Sequence, residues 1–256
     1  MQERKTNGIG YLAGDWPLDP ARATLVFIHG AGGTGAFWQA QIEGLGARAN
    51  TIAVDLPGHG RSDGGGKNSV EDYTRATVDF IQAVDAPKPI LCGFSLGGAI
   101  AQQILLDFPN LTRAGILVNS GAKMKVSPAL FESIENDYNG FVEFICKLAA
   151  AKKTVPELVR SFRHDFLSLQ PGIVSGDFRA CDRFDVTDRL SSVPVPVLVI
   201  TAEEDKLTPP KLGEALVKAI SKATRKHIMG AGHIAPLEKP DEVNAAILKF
   251  LDQNGL

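Results

Sequence analysis

The chain has 256 residues, of which 44% are hydrophobic and 22% are charged, and its formal net charge is −2. This length suits one α/β domain with a sizeable core, and the composition is that of a folded globular protein rather than a disordered chain. The near-neutral charge argues against a nucleic-acid-binding surface, which requires an excess of basic residues.

Cysteine usage and the N-terminal residues bear on the cellular compartment. Three cysteines are present, and residues 1–8 are polar. A small odd number of cysteines is not a disulfide framework and favours a reducing compartment. Residues 1–8 lack the apolar core of a signal peptide, and no apolar run approaches the roughly 20 residues that span a bilayer. We therefore expect a cytoplasmic protein without a membrane partner, either a monomer or a homodimer.

Short β-branched runs alternate with longer segments of helical periodicity. In chain order, the predicted strands are residues 24–29, 51–55, 89–94, 114–119, 196–201 and 226–229. The predicted helices are residues 39–48, 70–84, 95–107, 209–220 and 241–251. Continuous apolar strands separated by helices predict the α/β class, with a mostly parallel, doubly wound sheet covered on both faces. Ligands bind such sheets at the carboxyl ends of the strands.

One long segment, residues 123–189, lacks a convincing strand. Residues 129–150 have an apolar helical face, and a further helix is predicted over 155–169. The segment is either a helical cap over the strand ends or a set of additional core helices. Its insertion between two strands favours a cap. The predicted organisation is a core of residues 1–122 and 190–256 with an inserted helical cap, or lid, at 123–189.

A candidate nucleophile lies where a predicted strand meets a predicted helix. Residues 93–97 read Gly-Phe-Ser-Leu-Gly, which is the G-x-S-x-G pattern in the context that it requires. The sharp turn projects the hydroxyl of Ser95 above the sheet, and the helix N-terminus supplies free N–H groups and a positive dipole end. A glycine-rich turn with a serine helix cap is the alternative interpretation.

A serine hydroxyl needs a base to remove its proton, and the chain contains five histidines. His233 lies in a glycine-containing loop between the last predicted strand and the last predicted helix. It is preferred because the acid and then the histidine follow such a serine in chain order. The other four are interpreted as packed or solvated side chains: His29, His59, His164 and His227.

The base needs a buried acid that fixes its tautomer. Three acids follow the strand at 196–201, namely Glu203, Glu204 and Asp205. Asp205 is preferred because it is the last acid before the next helix and lies deep enough in the loop to turn back toward the site. The two glutamates are expected to face solvent.

An oxyanion hole needs two N–H donors. The residue after the nucleophile, Leu96, is predicted to supply one. The second is predicted to come from Ala31 in the His-Gly-Ala-Gly-Gly loop at 29–33, with Gly32 as the alternative. A plain connecting loop or a phosphate cradle would also be glycine-rich, and residues 30–35 fit G-x-G-x-x-G, but the phosphate-loop pattern G-x-x-x-x-G-K-[ST] is absent from the sequence.

Taken together, these motifs resemble the α/β-hydrolase superfamily, and the resemblance covers nearly the whole chain outside residues 123–189. The loop at 29–33 with Phe37 and Trp38 resembles its oxyanion loop, and residues 55–63 (Asp-Leu-Pro-Gly-His-Gly-Arg-Ser-Asp) resemble the segment after the next strand. The resemblance implies the α/β-hydrolase fold, a Ser95–His233–Asp205 triad, and a structural role for His59.

Residues 119–124 and 177–185 resemble segments of small capped carboxylesterases and enol-lactonases. This resemblance implies a serine esterase that cleaves small to medium carboxylic esters through an acyl-enzyme, without a metal or organic cofactor. Lactonases, carbon–carbon bond hydrolases, thioesterases, perhydrolases and acyltransferases share the triad and remain alternatives. A non-catalytic small-molecule receptor on the same fold is a further alternative.

Candidate substrate contacts follow from the same expectation. The predicted contacts are Gly30, Gly32, Trp38, Phe94, Met124, Phe131, Tyr138 and Phe141. Four arginines are candidates for binding an anionic substrate, although charged side chains are mostly solvated surface: Arg160, Arg163, Arg179 and Arg183.

Overall fold

In the computed structural model, residues 1–87 and 89–256 are described, and they form one eight-stranded sheet. Its strands are β1 (Gln2–Thr6), β2 (Ile9–Ala13), β3 (Thr24–Ile28), β4 (Asn50–Val54), β5 (Ile90–Phe94), β6 (Ala114–Val118), β7 (Val197–Ala202) and β8 (Ala223–Ile228). The order across the sheet is β1-β2-β4-β3-β5-β6-β7-β8. Strands β3 to β8 pair in parallel, whereas β1 and β2 are antiparallel. The predicted mostly parallel α/β sheet is confirmed.

Helices cover both faces of this sheet. They are α1 (Gln39–Leu45), α2 (Val70–Ala83), α3 (Leu96–Asp107), α4 (Pro128–Asn136), α5 (Tyr138–Ala149), α6 (Pro156–Ser168), α7 (Pro171–Arg183), α8 (Pro210–Ala219), α9 (Ala235–Glu238) and α10 (Pro240–Gln253), with 3-10 helices at Gly35–Trp38 and Thr187–Ser192. Side chains of β3 alternate between two buried clusters: Leu25 and Phe27 pack in one, Val26 and Ile28 in the other. This alternation is the period of two expected for a strand between two helical layers.

The strand order brings two predicted site loops together. Strands β3 and β5 are neighbours at the centre of the sheet, although β4 lies between them in sequence. The chain therefore turns in opposite directions from this point, and a crevice opens beyond the carboxyl ends of β3 and β5. The glycine loop at 29–33 and the serine at 95 both follow these two strands.

Residues 123–189, which we call the cap segment, are all described and form the four helices α4 to α7 between β6 and β7. A single β-bridge between Lys123 and Asp185 joins the two ends of the segment. Phe141, Phe162 and Phe166 of the segment belong to the same buried cluster as Phe27 of the sheet. The segment is thus packed onto the core through a shared apolar layer.

Besides α9 and the 3-10 helices, two larger parts of the fold were not predicted from the sequence. The first is the hairpin of β1 and β2, where β1 is mostly exposed and therefore lacks an apolar face. The second is α7, whose buried side chains are mainly small or polar and include Ser175, Asp177 and Ala180. Strand β8 begins at residue 223, whereas the predicted strand begins at 226. The prediction missed this start because the charged residues at 225 and 226 are exposed at the sheet edge and interrupt the apolar pattern. Within residues 1–87 and 89–256, none of the helices combines the length and apolar composition needed to cross a bilayer.

Candidate active site

Ser95 occupies a strained turn between β5 and α3. Its backbone φ is 51° and its ψ is −114°, a conformation that a residue with a side chain rarely adopts. A Cβ at Gly93 would collide with the backbone of Gly97, and a Cβ at Gly97 would collide with the backbone of Ile28. The flanking glycines are therefore required for the close approach of the strand, the turn and the helix.

His233 and Asp205 form a buried hydrogen-bonded pair at the carboxyl ends of β8 and β7. The Nδ1 of His233 lies 2.9 Å from the Asp205 Oδ2. The other carboxylate oxygen of Asp205 accepts hydrogen bonds from the N–H groups of Leu207 (2.9 Å) and Thr208 (2.8 Å). The Thr208 hydroxyl donates to Oδ2 at 2.7 Å. A carboxylate can only accept, so the pair places a proton on Nδ1 and leaves the Nε2 lone pair of a neutral His233 free.

The loop that carries His233 is held by hydrogen bonds to the cap segment and to the core. The backbone N–H of His233 donates to the carbonyl of Ala149 in the cap segment at 2.7 Å. The N–H of Gly232 donates to Glu238, and the side-chain amide of Asn119 donates to the carbonyls of Gly232 and His233 at 3.1 and 2.8 Å. These contacts from three parts of the chain fix the position of the imidazole before a substrate arrives.

Ser95 and His233 open into one cavity of about 90 Å³ between the sheet and the cap segment. The lining is mostly apolar and consists of Ala31, Phe94, Ser95, Met124, Lys125, Val126, Leu130, Ile145, Phe162, Phe166, Phe178, Cys181, Leu207, Thr208 and His233. Among the described residues, the Ser95 hydroxyl makes no hydrogen bond. The hydrogen bond between a catalytic serine and its base is often long or absent without substrate and forms in the reactive complex.

Two candidate oxyanion donors make no hydrogen bond within the described part of the chain. They are the N–H groups of Ala31, after β3, and of Leu96, the first residue of α3. The loop after β3 approaches Ser95 so closely that a Cβ on Gly30 would lie 3.2 Å from the Ser95 Cβ. The N–H of Gly32, the alternative donor, instead donates to Asp177 Oδ2 at 2.9 Å. Of the two candidates in this loop, Ala31 therefore keeps a free N–H and Gly32 does not.

Known proteins share this architecture over the full chain. A family model described as "Alpha/beta hydrolase family" matches residues 25–246. The chain belongs to this family. The alpha/beta hydrolase is 26% identical to 3-oxoadipate enol-lactonase 2 of Acinetobacter baylyi, over 88% of this chain and 87% of that protein. It is 27% identical to a pimeloyl-[acyl-carrier protein] methyl ester esterase of Yersinia pseudotuberculosis, over 90% and 93% of the two chains.

A solved structure of a thermophilic esterase is also similar to this alpha/beta hydrolase. Its TM-score is 0.86 at 32% sequence identity, and the match covers 99% of this chain and 98% of that one. The predicted fold and family resemblance are confirmed by these matches.

Of the predicted substrate contacts, Phe94 and Met124 line the cavity. The other six lie outside the lining: Gly30, Gly32, Trp38, Phe131, Tyr138 and Phe141. Trp38 and Phe141 are 0% exposed and pack in the core. The Tyr138 hydroxyl donates to the Phe166 carbonyl, and the Phe131 ring lies 5.2 Å from the Arg179 guanidinium carbon.

The four candidate arginines also lie outside the cavity lining. Arg160, Arg163 and Arg179 form ion pairs with Glu157, Glu143 and Glu135, all largely exposed, and Arg183 is exposed. Lys125 is instead the cation among the described residues that line the cavity. The sequence did not indicate this, because charge type alone does not reveal which way a side chain faces.

Sequence reasoning also missed most of the apolar cavity wall. Phe162 and Phe166 lie four residues apart on α6, a spacing that places both on one helical face. That spacing was visible in the sequence, but it does not distinguish a core-facing stripe from a cavity-facing one. No pattern in the sequence indicated the hydrogen bond from the Thr208 hydroxyl to Asp205. Thr208 follows Asp205 by three residues, and the contact depends on the geometry of the loop between them.

Two buried histidines, His29 and His59, make hydrogen bonds to the loops that follow β3 and β4. The Nδ1 of His29 donates to the Gly30 carbonyl at 2.8 Å, and its Nε2 accepts from the Leu56 N–H at 3.0 Å. One nitrogen donates and the other accepts, so His29 is neutral. Burial and the nearby charge of His59 lower the pKa of His29 to about 4. For His59, burial would lower the pKa, but the charge and hydrogen bond of Asp177 raise it by more.

His29 is expected to make stability depend on pH. In the unfolded chain its pKa is near 6.5, so between pH 6.5 and 4 the unfolded state binds a proton that the folded state does not. His29 therefore contributes stability above this window that is lost as pH falls through it, at up to about 1.4 kcal/mol per pH unit. Asp165 acts in the opposite sense, because burial raises its pKa from 3.8 to about 6.

His29 and Asp165 change the free energy of unfolding in opposite directions as pH falls, so each contribution is measured by comparing wild type with a variant that lacks the group. Urea unfolding of wild type and His29→Gln at about pH 7 and pH 4.5 should show that wild type loses about 2 kcal/mol more on acidification. Asp165→Asn should give a difference of the opposite sign. Equal losses in wild type and His29→Gln would contradict the assignment of a neutral, proton-excluding His29.

Proposed function

We propose that this alpha/beta hydrolase is a serine esterase that cleaves small to medium carboxylic esters through an acyl-enzyme. The observation that carries the proposal is the hydrogen bond of 2.9 Å between Asp205 and His233, beside a strained Ser95 that faces the same cavity. The proposed roles are nucleophile for Ser95, general base for His233 and orienting acid for Asp205.

In the proposed reaction, the Ser95 Oγ attacks the ester carbonyl carbon while its proton passes to the Nε2 of His233. The carbonyl oxygen becomes an oxyanion, which accepts hydrogen bonds from the N–H groups of Ala31 and Leu96. The carbon–oxygen bond to the alcohol breaks, and His233 returns the proton to the departing oxygen. Water then attacks the acyl-enzyme with His233 again as base, which releases the acid and regenerates Ser95.

The cavity wall supports an acyl group of modest length. Leu130, Ile145, Phe162 and Phe178 supply apolar surface around Ser95, and apolar walls favour hydrocarbon over charged acyl groups. The esterases among the similar proteins act on the same class of bond. Lactone hydrolysis is a second candidate, because the chain resembles an enol-lactonase and a lactone is a cyclic ester.

A panel of p-nitrophenyl esters from acetate to decanoate, with γ-lactones and thioesters, tests the proposal. We expect a burst of p-nitrophenol equal to the enzyme concentration and covalent labelling of the Ser95 peptide by a fluorophosphonate. Faster turnover of lactones than of any open-chain ester would favour the second candidate. Binding without turnover or labelling would overturn the enzyme and favour a receptor.

Phe162 is expected to limit acyl length. Its side chain is 5% exposed, lines the cavity, and packs edge-on against Phe166 with ring centroids 5.3 Å apart. Phe162→Ala should raise kcat/KM for decanoate relative to acetate by about tenfold, since each accommodated methylene contributes about 0.8 kcal/mol. The matched control is Phe144→Ala, a phenylalanine of the cap segment that is 52% exposed. An unchanged chain-length profile in a folded Phe162→Ala would contradict this role.

A further inference from the structure

Asp177 is a buried carboxylate of the cap segment that the proposed reaction does not use. It lies on α7 and is 0% exposed. Within the described residues, its carboxylate accepts three hydrogen bonds from the core. Oδ2 accepts from the Gly32 N–H and the His59 Nε2, both at 2.9 Å, and Oδ1 accepts from the Tyr73 hydroxyl at 2.5 Å. A buried charge is retained only when it is paired and hydrogen-bonded in this way.

His59 supplies the compensating charge. Its Nδ1 lies 3.1 Å from the Pro57 carbonyl, which can only accept, so Nδ1 carries a proton. Its Nε2 faces a carboxylate oxygen of Asp177 that already accepts from Gly32. Both nitrogens therefore donate, and the ring is an imidazolium. The neutral state of His29, whose ring centroid lies 5.0 Å from that of His59, agrees with a positive charge at this position.

The hydrogen bond to Gly32 fixes the oxyanion loop. A peptide group is planar, so the Gly32 N–H bond sets the orientation of the whole plane that joins Ala31 to Gly32. Gly32 has a φ of +67°, and a Cβ there would collide with the Phe166 ring. Asp177 and Phe166, both from the cap segment, thus hold the residue next to the free Ala31 N–H.

We infer that Asp177 is a positioning residue of the oxyanion hole: through its bond to Gly32, with His59 and Tyr73 holding the carboxylate, it keeps the Ala31 N–H aimed at the site of reaction. The oxyanion hole is then complete only when the cap segment is seated on the core. This inference rests on the proposed esterase function, because the oxyanion is its intermediate.

The expected effect is on kcat rather than on KM. Removal of one oxyanion donor costs about 10²–10³ in kcat, and a misplaced donor should cost part of this. Asp177→Asn keeps the size of the side chain and one acceptor oxygen but removes the charge. It should lower kcat about 30-fold, leave KM within about twofold, and weaken a trifluoromethyl ketone inhibitor in parallel with kcat/KM.

A second measurement does not depend on catalysis. Hydrogen exchange of the peptide that covers residues 29–34 should quicken in Asp177→Asn and stay as in wild type in the control Asp107→Asn. Asp107 is a carboxylate at the far end of α3 from Ser95, paired with Arg189 at 2.6 Å. Tyr73→Phe removes one hydroxyl donor and should give a smaller fall in kcat, so it provides the same test if Asp177→Asn does not fold.

The outcomes separate the two proposals. Faster exchange at residues 29–34 together with a lower kcat supports the inference. Unchanged exchange with unchanged kcat overturns it. A fall in activity that matches only the unfolded fraction, with unchanged inhibitor affinity, also overturns it and leaves Asp177 a purely structural residue. If wild type hydrolyses no ester while exchange still responds to Asp177→Asn, the esterase function is wrong although the hydrogen-bonded network exists.

Discussion

Ser95→Ala is expected to lower kcat for p-nitrophenyl esters by about 10⁵-fold or more, because the acyl-enzyme can no longer form. In serine hydrolases the triad acts as a unit, so loss of the nucleophile leaves only the catalysis supplied by the oxyanion donors and by substrate binding. Steady-state and burst kinetics measure the effect, and mass spectrometry should show that fluorophosphonate labelling is lost. The variant should fold, because alanine lacks only an oxygen that makes no hydrogen bond among the described residues.

Ser120→Ala is the matched control for this prediction. Ser120 lies next to the same turn, and its hydroxyl donates to the Ser95 carbonyl at 2.9 Å. Its loss should weaken the support of the turn and lower kcat by no more than about tenfold, consistent with one lost neutral hydrogen bond of about 1 kcal/mol. The assignment of the nucleophile would be wrong if Ser95→Ala kept more than about one hundredth of kcat while Ser120→Ala lost most of it.

The features that the sequence predicted well are those encoded locally. The turn at Ser95 depends on glycines within two residues of it, since each prevents a backbone collision that any side chain would cause. The strands β3 to β7 are short continuous apolar runs that are buried throughout, so their composition alone marks them. Pattern and structure agree here because the residue types that each feature requires lie within a few positions of one another in the chain.

The features that were missed depend on distant parts of the chain. The partners of Asp177 lie 145, 118 and 104 residues away from it in sequence. Nothing near position 177 marks it as buried, since the other buried residues of α7 are mainly small or polar. The prediction of the cavity-lining residues failed for a related reason. Trp38 and Phe162 are both large and apolar, and only packing decides that Trp38 is enclosed in the core while Phe162 faces the cavity.

Asp205→Asn is expected to lower kcat by about 10⁴-fold, although it replaces only one atom. The Asp205 Oδ1 accepts two backbone hydrogen bonds, from Leu207 and Thr208, so the amide oxygen of an asparagine should occupy this position. Its NH₂ group then faces the Nδ1 of His233. Nδ1 would have to accept, which moves the ring proton to Nε2, and a protonated Nε2 cannot take the proton of Ser95.

The loss from Asp205→Asn should appear in kcat, with KM nearly unchanged, since Asp205 touches no part of the substrate in the proposed reaction. The rate should rise with pH more steeply than in wild type, because hydroxide can replace the missing base. Glu203→Gln is the matched control: this acid of the same loop only accepts from the exposed N–H of Gly230 at 2.8 Å, and its loss should leave kcat within about twofold. A large loss in Glu203→Gln with a small loss in Asp205→Asn would transfer the role of orienting acid to Glu203, and with it the tautomer argument for His233 would fail.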